Sequence, residues 1–451
     1  MSLNTLSDAT IFAPATAAGR AGIAVFRISG PAAREAIHQL CQKQAMPVAR
    51  IANLHILYHP ITKEILDHAL VLWFPAPASF TGEDVVELHT HGGRAVTQAL
   101  TEALASLPNF RLAQPGEFTR RAFEKGRMDL TEAEAIADLV HAETEAQRRQ
   151  ALRQMEGALG ALYKDWRESL ARILAYREAS IDFADEDLPP ELLQQQMDQL
   201  QKLQTDIAAH LNDNHRGERL REGFSIAILG PPNAGKSSLL NALARREAAI
   251  VSATAGTTRD VIEVHLDLGG YPVILADTAG LRESGDAIEN EGIRRALARA
   301  EQADLKLLVF DGDVWPSTDA TTFDLIDDHS IIVVNKADKV KNTWFIVQGI
   351  GEPLFVSAQT GQGLPELLTQ LTQEVARRFS ATSSTPPLTQ ARHREALEEC
   401  RNHITRALTA TQSELCAEDI RLALRSLGRI TGHVGVEDLL DIIFRDFCIG
   451  K

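Results

Sequence analysis

The chain has 451 residues, of which 44% are hydrophobic and 24% charged, a composition typical of a globular protein with about three domains. The N-terminal residues do not resemble a secretory leader, and the sequence has no run of about 18 apolar residues, so we expect a cytoplasmic protein without membrane spans. The four cysteines are scattered without a Cys-x-x-Cys pair, so we expect neither a disulfide framework nor a zinc site. The net charge of -15 argues against a general affinity for nucleic-acid backbone but leaves room for a local basic face.

The first part of the chain, from Thr10 to about Phe118, mixes strand and helix patterns and predicts a compact α+β domain. The predicted strands are Gly22–Ile28, His68–Phe74 and Val85–His89, and the predicted helices are Pro31–Leu40 and Arg94–Leu107. Polar groups stand at element ends in this region. They are Arg27, Glu87 and the His91-Gly92-Gly93 turn, and the residues alone leave open whether their role is structural or functional.

Between Leu130 and Leu220 the pattern becomes helical. Apolar residues recur every three or four positions in two stripes, Leu152 to Ile173 and Leu193 to Leu211, with a break at Pro189-Pro190. These stripes predict long amphipathic helices whose apolar faces form an intramolecular core or, alternatively, a dimer seam.

Helical periodicity returns near the end of the chain, at Gln390–Ala410 and Glu418–Phe447, after a Ser/Thr/Pro-rich linker from Ser380 to Pro387. Neither segment alone has enough apolar surface for a stable bundle. We therefore expect both to complete the earlier helical domain. The module between them would then be an insertion in the helical domain. Movements of its loops would be transmitted directly to the helices on either side.

That module begins with an apolar run, Phe224 to Leu229, followed by Gly230 and by Gly235-Lys236-Ser237. The pattern is typical of the strand, phosphate loop and helix start of a nucleotide triphosphatase. Glycines let backbone N–H groups surround phosphate oxygens, Lys236 neutralises the terminal phosphates, and the Ser237 hydroxyl binds Mg²⁺.

Further nucleotide motifs follow in order. Thr258 lies in a predicted switch loop as a ligand of Mg²⁺, and Asp277-Thr278-Ala279-Gly280 ends a predicted strand, Tyr271 to Ala276. After further strands at Lys306–Phe310 and Ile331–Val334, the run Asn335-Lys336-Ala337-Asp338 reads guanine, because the Asp338 carboxylate accepts from its N1–H and exocyclic amine. Ser357-Ala358-Gln359, after strand Leu354–Val356, is expected to supply an N–H to the guanine O6. The motifs favour GTP over ATP.

Two departures from the Ras-like pattern affect the expected mechanism. Leu281 occupies the position of the glutamine that orients the attacking water, so another group must do so; Glu289 is the best nearby carboxylate, with Arg282 and Glu283 as weaker alternatives. No arginine is evidently placed as a finger, a group worth roughly 10³ to 10⁵ in rate. A monovalent cation held by Asn233 in the phosphate loop is one solution.

Taken together, these residues closely resemble the MnmE (TrmE) family of tRNA-modification GTPases over essentially the whole chain. Besides the nucleotide motifs, the resemblance rests on the following segments: Arg27-Ile28-Ser29-Gly30, Phe80-Thr81-Gly82-Glu83-Asp84, His91-Gly92-Gly93, Pro115-Gly116-Glu117-Phe118-Thr119 and the ending Phe447-Cys448-Ile449-Gly450-Lys451.

The resemblance implies a homodimer formed by N-terminal domains that bind a one-carbon tetrahydrofolate, either the 5,10-methylene or the 5-formyl derivative. It further implies a heterotetramer or larger complex with the FAD protein MnmG. The two proteins would add an aminomethyl or carboxymethylaminomethyl group to C5 of the wobble uridine of tRNA, with GTP hydrolysis driving a conformational cycle. The implied domains are an N-terminal domain (1–120), a helical domain in two parts (121–222 and 380–451) and an inserted Ras-like GTPase domain (223–379).

The resemblance also assigns residues. It implies that K⁺ and contact between two GTPase domains replace the missing finger, with Asn233, Ser252, Thr254 and Thr257 as K⁺ ligands, and that Glu289 is catalytic. Folate contacts fall on Arg27, Glu87, Arg127 and Lys451, where Arg127 replaces a lysine found in some members. The predicted GTP-binding residues are Asn233, Ala234, Gly235, Lys236, Ser237, Ser238, Ser252, Ala253, Thr254, Ala255, Gly256, Thr257, Thr258, Asp277, Thr278, Ala279, Gly280, Asn335, Lys336, Ala337, Asp338, Ser357, Ala358 and Gln359.

Two points stay open in the sequence. Cys448 is either a nucleophile near the folate or a packing residue. The chain itself is either an enzyme of tRNA modification or a regulatory switch that controls binding to ribosomes or other partners, in which case its N-terminal domain would serve only for dimerisation. Folate binding and the state of wobble uridines in cells without the protein distinguish the two functions.

Overall fold

The computed structural model describes residues 9–42, 44–182, 190–246, 262–277, 301–316, 320–340, 352–379, 385–434, 437–445, 447 and 450. The chain divides into two compact units. The first comprises Met1–Ala137, Met155–Ala171 and Leu424–Lys451, and the second comprises Asp138–Gln154 and Arg172–Ala423. Within the ranges just given, every helix is too short or too polar to cross a bilayer.

A six-stranded sheet, in the order β3-β4-β5-β2-β1-β6, forms the body of the first unit. Its neighbours are antiparallel except for the parallel pair of β1 and β6. The strands are β1 (Thr10–Pro14), β2 (Ala21–Ser29), β3 (Asn53–Tyr58), β4 (Ile65–Phe74), β5 (Val85–Gly92) and β6 (Phe110–Leu112). The three predicted strands are confirmed as β2, β4 and β5.

Two helices cover one face of this sheet, α1 (Ala33–Cys41) and α2 (Arg94–Ala105), close to their predicted bounds. Their apolar faces and alternate strand residues form the core, which includes Phe26, Ile28, Leu88, Ile37, Leu40, Leu100 and Leu104. The opposite face carries the other set of alternate side chains, since successive strand residues point to opposite sides. Arg27 of β2 stands directly opposite Glu87 of β5 on that face.

Four helices follow this sheet in the chain, α3 (Glu117–Glu124), α4 (Leu130–His141), α5 (Glu145–Met155) and α6 (Ala158–Asp182). The apolar stripe from Leu152 to Ile173 therefore belongs to two helices, because Gly157 adopts φ 80° between them and ends the regular helix there. Next come α7 (Pro190–Leu211), which matches the second predicted stripe, and the short α8 (Arg216–Glu222).

The second six-stranded sheet has the order β12-β11-β10-β7-β9-β8 and is parallel except for the antiparallel β8. Its strands are β7 (Phe224–Leu229), β8 (Ile262–Leu268), β9 (Tyr271–Asp277), β10 (Leu305–Asp311), β11 (Ser330–Asn335) and β12 (Leu354–Phe355). Every strand predicted in this region is confirmed, and β8 is additional. Helices α9 (Lys236–Arg246), α10 (Ala320–Phe323) and α11 (Leu364–Phe379) accompany the sheet.

An ion pair connects α8 to the edge of this sheet at which the parallel strands begin. Asp304, just before β10, accepts a hydrogen bond from Ser225 N at 2.9 Å and pairs with Arg219 Nε of α8 at 2.6 Å. Burial raises the pKa of Asp304. The arginine therefore compensates a carboxylate that the core would otherwise disfavour.

In the described residues from 385 onward there are three helices, α12 (Ala391–Thr409), α13 (Ser413–Thr431) and α14 (Glu437–Arg445). The periodic segment predicted from Glu418 to Phe447 is thus two helices, interrupted at Gly432, whose φ is 86°. Within the second unit α12 packs along α7, and Gln204 Nε2 donates to Thr405 Oγ1 at 2.7 Å. The predicted return of the C-terminal segment to the earlier helices is confirmed for this pair.

Candidate functional site

The phosphate loop leaves β7 at the carboxyl edge of the parallel sheet, where such sheets bind ligands. Gly230 has φ 148° and Gly235 has φ 89°. A Cβ at Gly230 would lie 2.1 Å from Val309 O, and one at Gly235 would lie 2.2 Å from Asn335 Nδ2. Both positions therefore require glycine. Asn233 is exposed between them in the left-handed region, with φ 64°.

Lys236 begins α9 and is buried inside the loop. Its Nζ donates to Gly230 O at 2.7 Å and to Pro231 O at 2.9 Å. Burial lowers its pKa, and Asp277 acts in the opposite direction. The ammonium group is thus fixed where the loop closes, as expected of the lysine that faces the terminal phosphates.

Ser237 and Asp277 bring two oxygen atoms together from different elements. The Ser237 hydroxyl, at the start of α9, donates to Asp277 Oδ2 at the end of β9, at 2.5 Å. Asp277 is 1% exposed. Hydroxyl and carboxylate oxygens are the ligands that Mg²⁺ prefers, so this pair fits the ion that the sequence predicts at Ser237.

Asn335 connects three of the predicted motifs and is 2% exposed. Its Nδ2 donates to Ala234 O at 2.9 Å in the phosphate loop, and its Oδ1 accepts from Ala358 N at 3.1 Å. The motif match includes Asn335 among the nucleotide residues but does not reveal this bridging role. The Ala358 N–H is thus engaged by Asn335. The expected contact between an N–H of the run Ser357-Ala358-Gln359 and the guanine O6 stays a prediction.

The guanine-reading segment lies just after β11. Lys336 adopts φ 62°, and its Nζ donates to Asp311 Oδ2 at 2.6 Å. The hydrogen bond to Asp311 raises the pKa of Lys336. Asp338 is exposed on a single 3₁₀ turn, Ala337–Lys339, which leaves its carboxylate accessible. The sequence motifs do not identify Asp311, although it directly follows the predicted strand Lys306–Phe310 and stands opposite Asn335 at the same edge of the sheet.

The remaining residues of the predicted motif are also placed. Ser357 is fully buried, and its Oγ accepts from Thr360 N at 3.2 Å, whereas Gln359 and Ser238 are exposed. The other predicted positions lie outside the described residues: Ser252, Ala253, Thr254, Ala255, Gly256, Thr257, Thr258, Thr278, Ala279, Gly280, Arg282, Glu283, Glu289, Cys448 and Lys451.

In the first unit, Arg27 and Glu87 form one pair across β2 and β5. Arg27 Nη2 lies 3.1 Å and its Nε 3.2 Å from Glu87 Oε1, and each side chain is 20% exposed. The guanidinium carbon lies 5.3 Å from the centre of the Phe80 ring and 5.8 Å from that of Phe118. The pair is therefore held by aromatic rings and remains partly open to solvent.

Of the other predicted folate residues, Arg127 is among the described residues and lies near the loop that carries Phe80. A Cβ on Gly82, two residues after Phe80, would lie 3.4 Å from Arg127 Cγ. Gly450 is buried with φ 100°, and a Cβ there would lie 2.4 Å from Pro14 O. Pro14 ends β1, whose Ala13 stands opposite Arg27. The structure thus places Gly450 beside β1, the strand next to Arg27.

Family models cover most of the chain. The model described as the MnmE helical domain matches residues 130–448, and the model described as the GTP-binding protein TrmE N-terminus matches residues 10–127.

Curated relatives match over nearly the full length. The tRNA modification GTPase MnmE of Parvibaculum lavamentivorans is 57% identical over 98% of this chain and 100% of its own length. A Danio rerio protein named 5-taurinomethyluridine-[tRNA] synthase subunit GTPB3, mitochondrial, is 47% identical over 98% of this chain and 93% of its own.

Among solved structures, the G domain of the T. maritima FeoB iron transporter covers 34% of this chain and 98% of its own length, with 27% identity and a TM-score of 0.25. The assignment rests on the family models and the curated relatives, together with the two sheets and the phosphate-loop geometry. The chain belongs to the MnmE family of tRNA modification GTPases.

Proposed function

We propose that this chain hydrolyses GTP at the phosphate-loop site and that hydrolysis serves the modification of tRNA uridines. The observation that carries the proposal is the bridge made by Asn335 between Ala234 O and Ala358 N. It joins the phosphate loop to the guanine-reading segments, so that Asp338 selects guanine while Lys236 faces the phosphates.

For Mg²⁺, the proposed ligands are Ser237 and Thr258, with Asp277 holding the surrounding shell. The convergence of Ser237 Oγ and Asp277 Oδ2 at 2.5 Å supports this assignment. Bound there, Mg²⁺ would neutralise charge on the β and γ phosphates. Ser237 and Asp277 would hold the ion, and Lys236 would balance the remaining phosphate charge.

For the hydrolytic step, we propose Glu289 as the group that orients the water, with Arg282 as a secondary candidate. A K⁺ ion bound by Asn233 with Ser252, Thr254 and Thr257 would replace the arginine finger when two GTPase domains meet. The exposed, left-handed Asn233 within the loop supports a role for this residue. The test is to compare GTP hydrolysis in K⁺ and in Na⁺; equal rates would refute the assignment.

For the one-carbon donor, the proposed site is the Arg27–Glu87 pair with Arg127 and Lys451. Two features support it: the pair is partly exposed beside Phe80 and Phe118, and Gly450 lies against Pro14. A pterin ring presents N–H donors that suit a carboxylate, and the glutamate tail of a folate presents carboxylates that suit cations. Binding of 5-formyl-tetrahydrofolate to the purified protein tests this site directly.

We further propose a homodimer formed through the β3–β4 edge of the first sheet, on the face opposite α1 and α2. Leu54 and Leu70 stand opposite each other on β3 and β4 and are 68% and 43% exposed. Leu70 also stands opposite His89, which shares its face with Glu87. More exposed apolar side chains lie near the same edge: Val48, Ile51, Ile61 and Ile65. Apolar area of this kind marks an interaction surface.

The substrate reaction is proposed from the family. The name of the Danio rerio relative describes a synthase subunit for a 5-substituted uridine in tRNA. By analogy, this chain would work with the FAD protein MnmG to place an aminomethyl or carboxymethylaminomethyl group on C5 of the wobble uridine. Reduced, buried Cys41, Cys400 and Cys416 are compatible with the cytoplasm as the compartment. Nucleoside analysis of tRNA from cells lacking the protein tests the proposal, which fully modified wobble uridines would refute.

A further inference from the structure

The first turn of α5 is tied together by a reciprocal cap. Gln147 Oε1 accepts from Thr144 N at 3.1 Å and from Glu143 N at 3.0 Å, while Thr144 Oγ1 accepts from Gln147 N at 3.4 Å. This capping box satisfies several of the backbone donors that every helix start leaves without an intrahelical partner. The N–H of Ala146, in the same turn, needs a different acceptor.

Gly270 provides that acceptor. Ala146 N–H donates to Gly270 O at 3.0 Å. Gly270 and its neighbour Gly269, with φ 88° and 63°, form the tip of the hairpin made by β8 and β9. The other end of this hairpin begins at Ile262, just after the segment that contains Thr258, and ends at Asp277. The hairpin therefore connects α5 to the two predicted motifs at its far end, the segment that contains Thr258 and the segment that begins at Asp277.

The same part of α5 also holds α8. Gln147 Nε2 donates to Arg221 O at 3.0 Å, and Gln150 Nε2 donates to Gly217 O at 3.0 Å. Helix α8 continues through Gly223 directly into β7 and the phosphate loop. The side chain of Gln147 thus caps α5 with its oxygen and binds α8 with its nitrogen.

We propose that the first turn of α5 is a positioning element of the nucleotide site. It forms hydrogen bonds both with α8, which leads into β7, and with the hairpin tip, which leads into β9. It thereby fixes the position of β7 relative to β9, and these two strands place Ser237 and Asp277. Ala146 and Gln147 act only through these strands. Because coupling is reciprocal, a nucleotide that moves the hairpin must change the hydrogen bonds of α5. The inference rests on the proposed GTPase activity.

Two variants remove the two connections separately. Ala146→Pro removes the N–H that donates to Gly270 O. Because N–H groups in the first turn have no acceptor within the helix, proline is tolerated at this position. Gln147→Glu keeps an oxygen for the capping box but replaces the amide that donates to Arg221 O. Arg153→Ala, an exposed change on the same helix, is the matched control. Thermal unfolding verifies that each variant folds.

The readouts are kcat and KM for GTP, together with backbone hydrogen exchange of residues 144–150 with bound GDP and with a bound, non-hydrolysable GTP analogue. We expect each test variant to lower kcat roughly three- to tenfold, about the effect of one hydrogen bond, with KM nearly unchanged. In the parent protein, exchange should differ between the nucleotides, and the control should behave like the parent.

Kinetics of folded Gln147→Glu at parental values, or exchange that is the same with both nucleotides, would overturn the inference. The exchange measurement separates this inference from the proposed function. If the parent protein bound guanine nucleotides without hydrolysing GTP, the proposed function would fail, while a nucleotide-dependent change at residues 144–150 would still support the positioning role.

Discussion

Replacing Asn335 by alanine should disable nucleotide binding while leaving the fold intact. The substitution removes the Nδ2 bond to Ala234 O and the Oδ1 bond from Ala358 N at a position that is 2% exposed. Two buried hydrogen bonds and the partners they leave unsatisfied correspond to about 2 to 4 kcal/mol. If this energy organises the phosphate loop for binding, the Kd for GDP should rise roughly 30- to 1000-fold.

The measurement is a titration with a fluorescent GDP analogue, accompanied by thermal unfolding in the absence of nucleotide. Thr369→Ala is a suitable control, because that exposed hydroxyl of α11 donates to Pro365 O of its own helix. The control should bind like the parent. A folded Asn335→Ala protein that binds GDP within about threefold of the parent would show that the loop does not depend on this bridge.

Three further predictions concern other parts of the molecule. Burial lowers the pKa of His210 from 6.5 to about 4, so the unfolded chain takes up a proton at a higher pH than the folded protein does. Up to about 3 kcal/mol of the free energy of unfolding should therefore be lost between pH 6.5 and 4. In urea unfolding, His210→Asn should make the free energy of unfolding less dependent on pH in this range. Glu87→Gln should weaken binding of 5-formyl-tetrahydrofolate about tenfold or more, because a neutral amide pairs poorly with Arg27 and with pterin donors; calorimetry showing parental affinity would contradict this. Leu54→Asp combined with Leu70→Asp should convert the proposed dimer to monomers in sedimentation, and an unchanged mass would exclude this face.

The nucleotide sheet was largely predictable, because buried parallel strands appear as short apolar runs that end in motif residues. Strand β8 was not predicted, although Val264, Leu266 and Leu268 alternate with polar residues, a pattern typical of a strand with one face exposed. The helix breaks at Gly157 and Gly432 were missed because apolar periodicity continues on either side of each glycine. A Cβ at Gly432 would lie 2.5 Å from the Phe123 ring, a constraint imposed by tertiary packing that local sequence does not contain.

Individual site residues were easier to find than their partners. The sequence indicates both Arg27 and Glu87 as candidates, but only the register of β2 against β5 shows that they form one pair. Likewise, the hydrogen bond from Asn335 to Ala234 O joins residues 101 positions apart, and the contact of Ala146 with Gly270 joins a helix start to a turn. Such contacts depend on long-range topology, which single motifs do not specify.

The ion pair between Arg219 and Asp304 matters for anyone who studies the GTPase domain in isolation. A fragment starting at Phe224 would retain the phosphate loop and every guanine-reading residue, yet it would lack the arginine that neutralises Asp304 and the α5 turn that touches Gly270. The rate of GTP hydrolysis by such a fragment would then be that of a domain without these two contacts. Rates measured on such a fragment should therefore be compared with the intact chain before they are assigned to the enzyme.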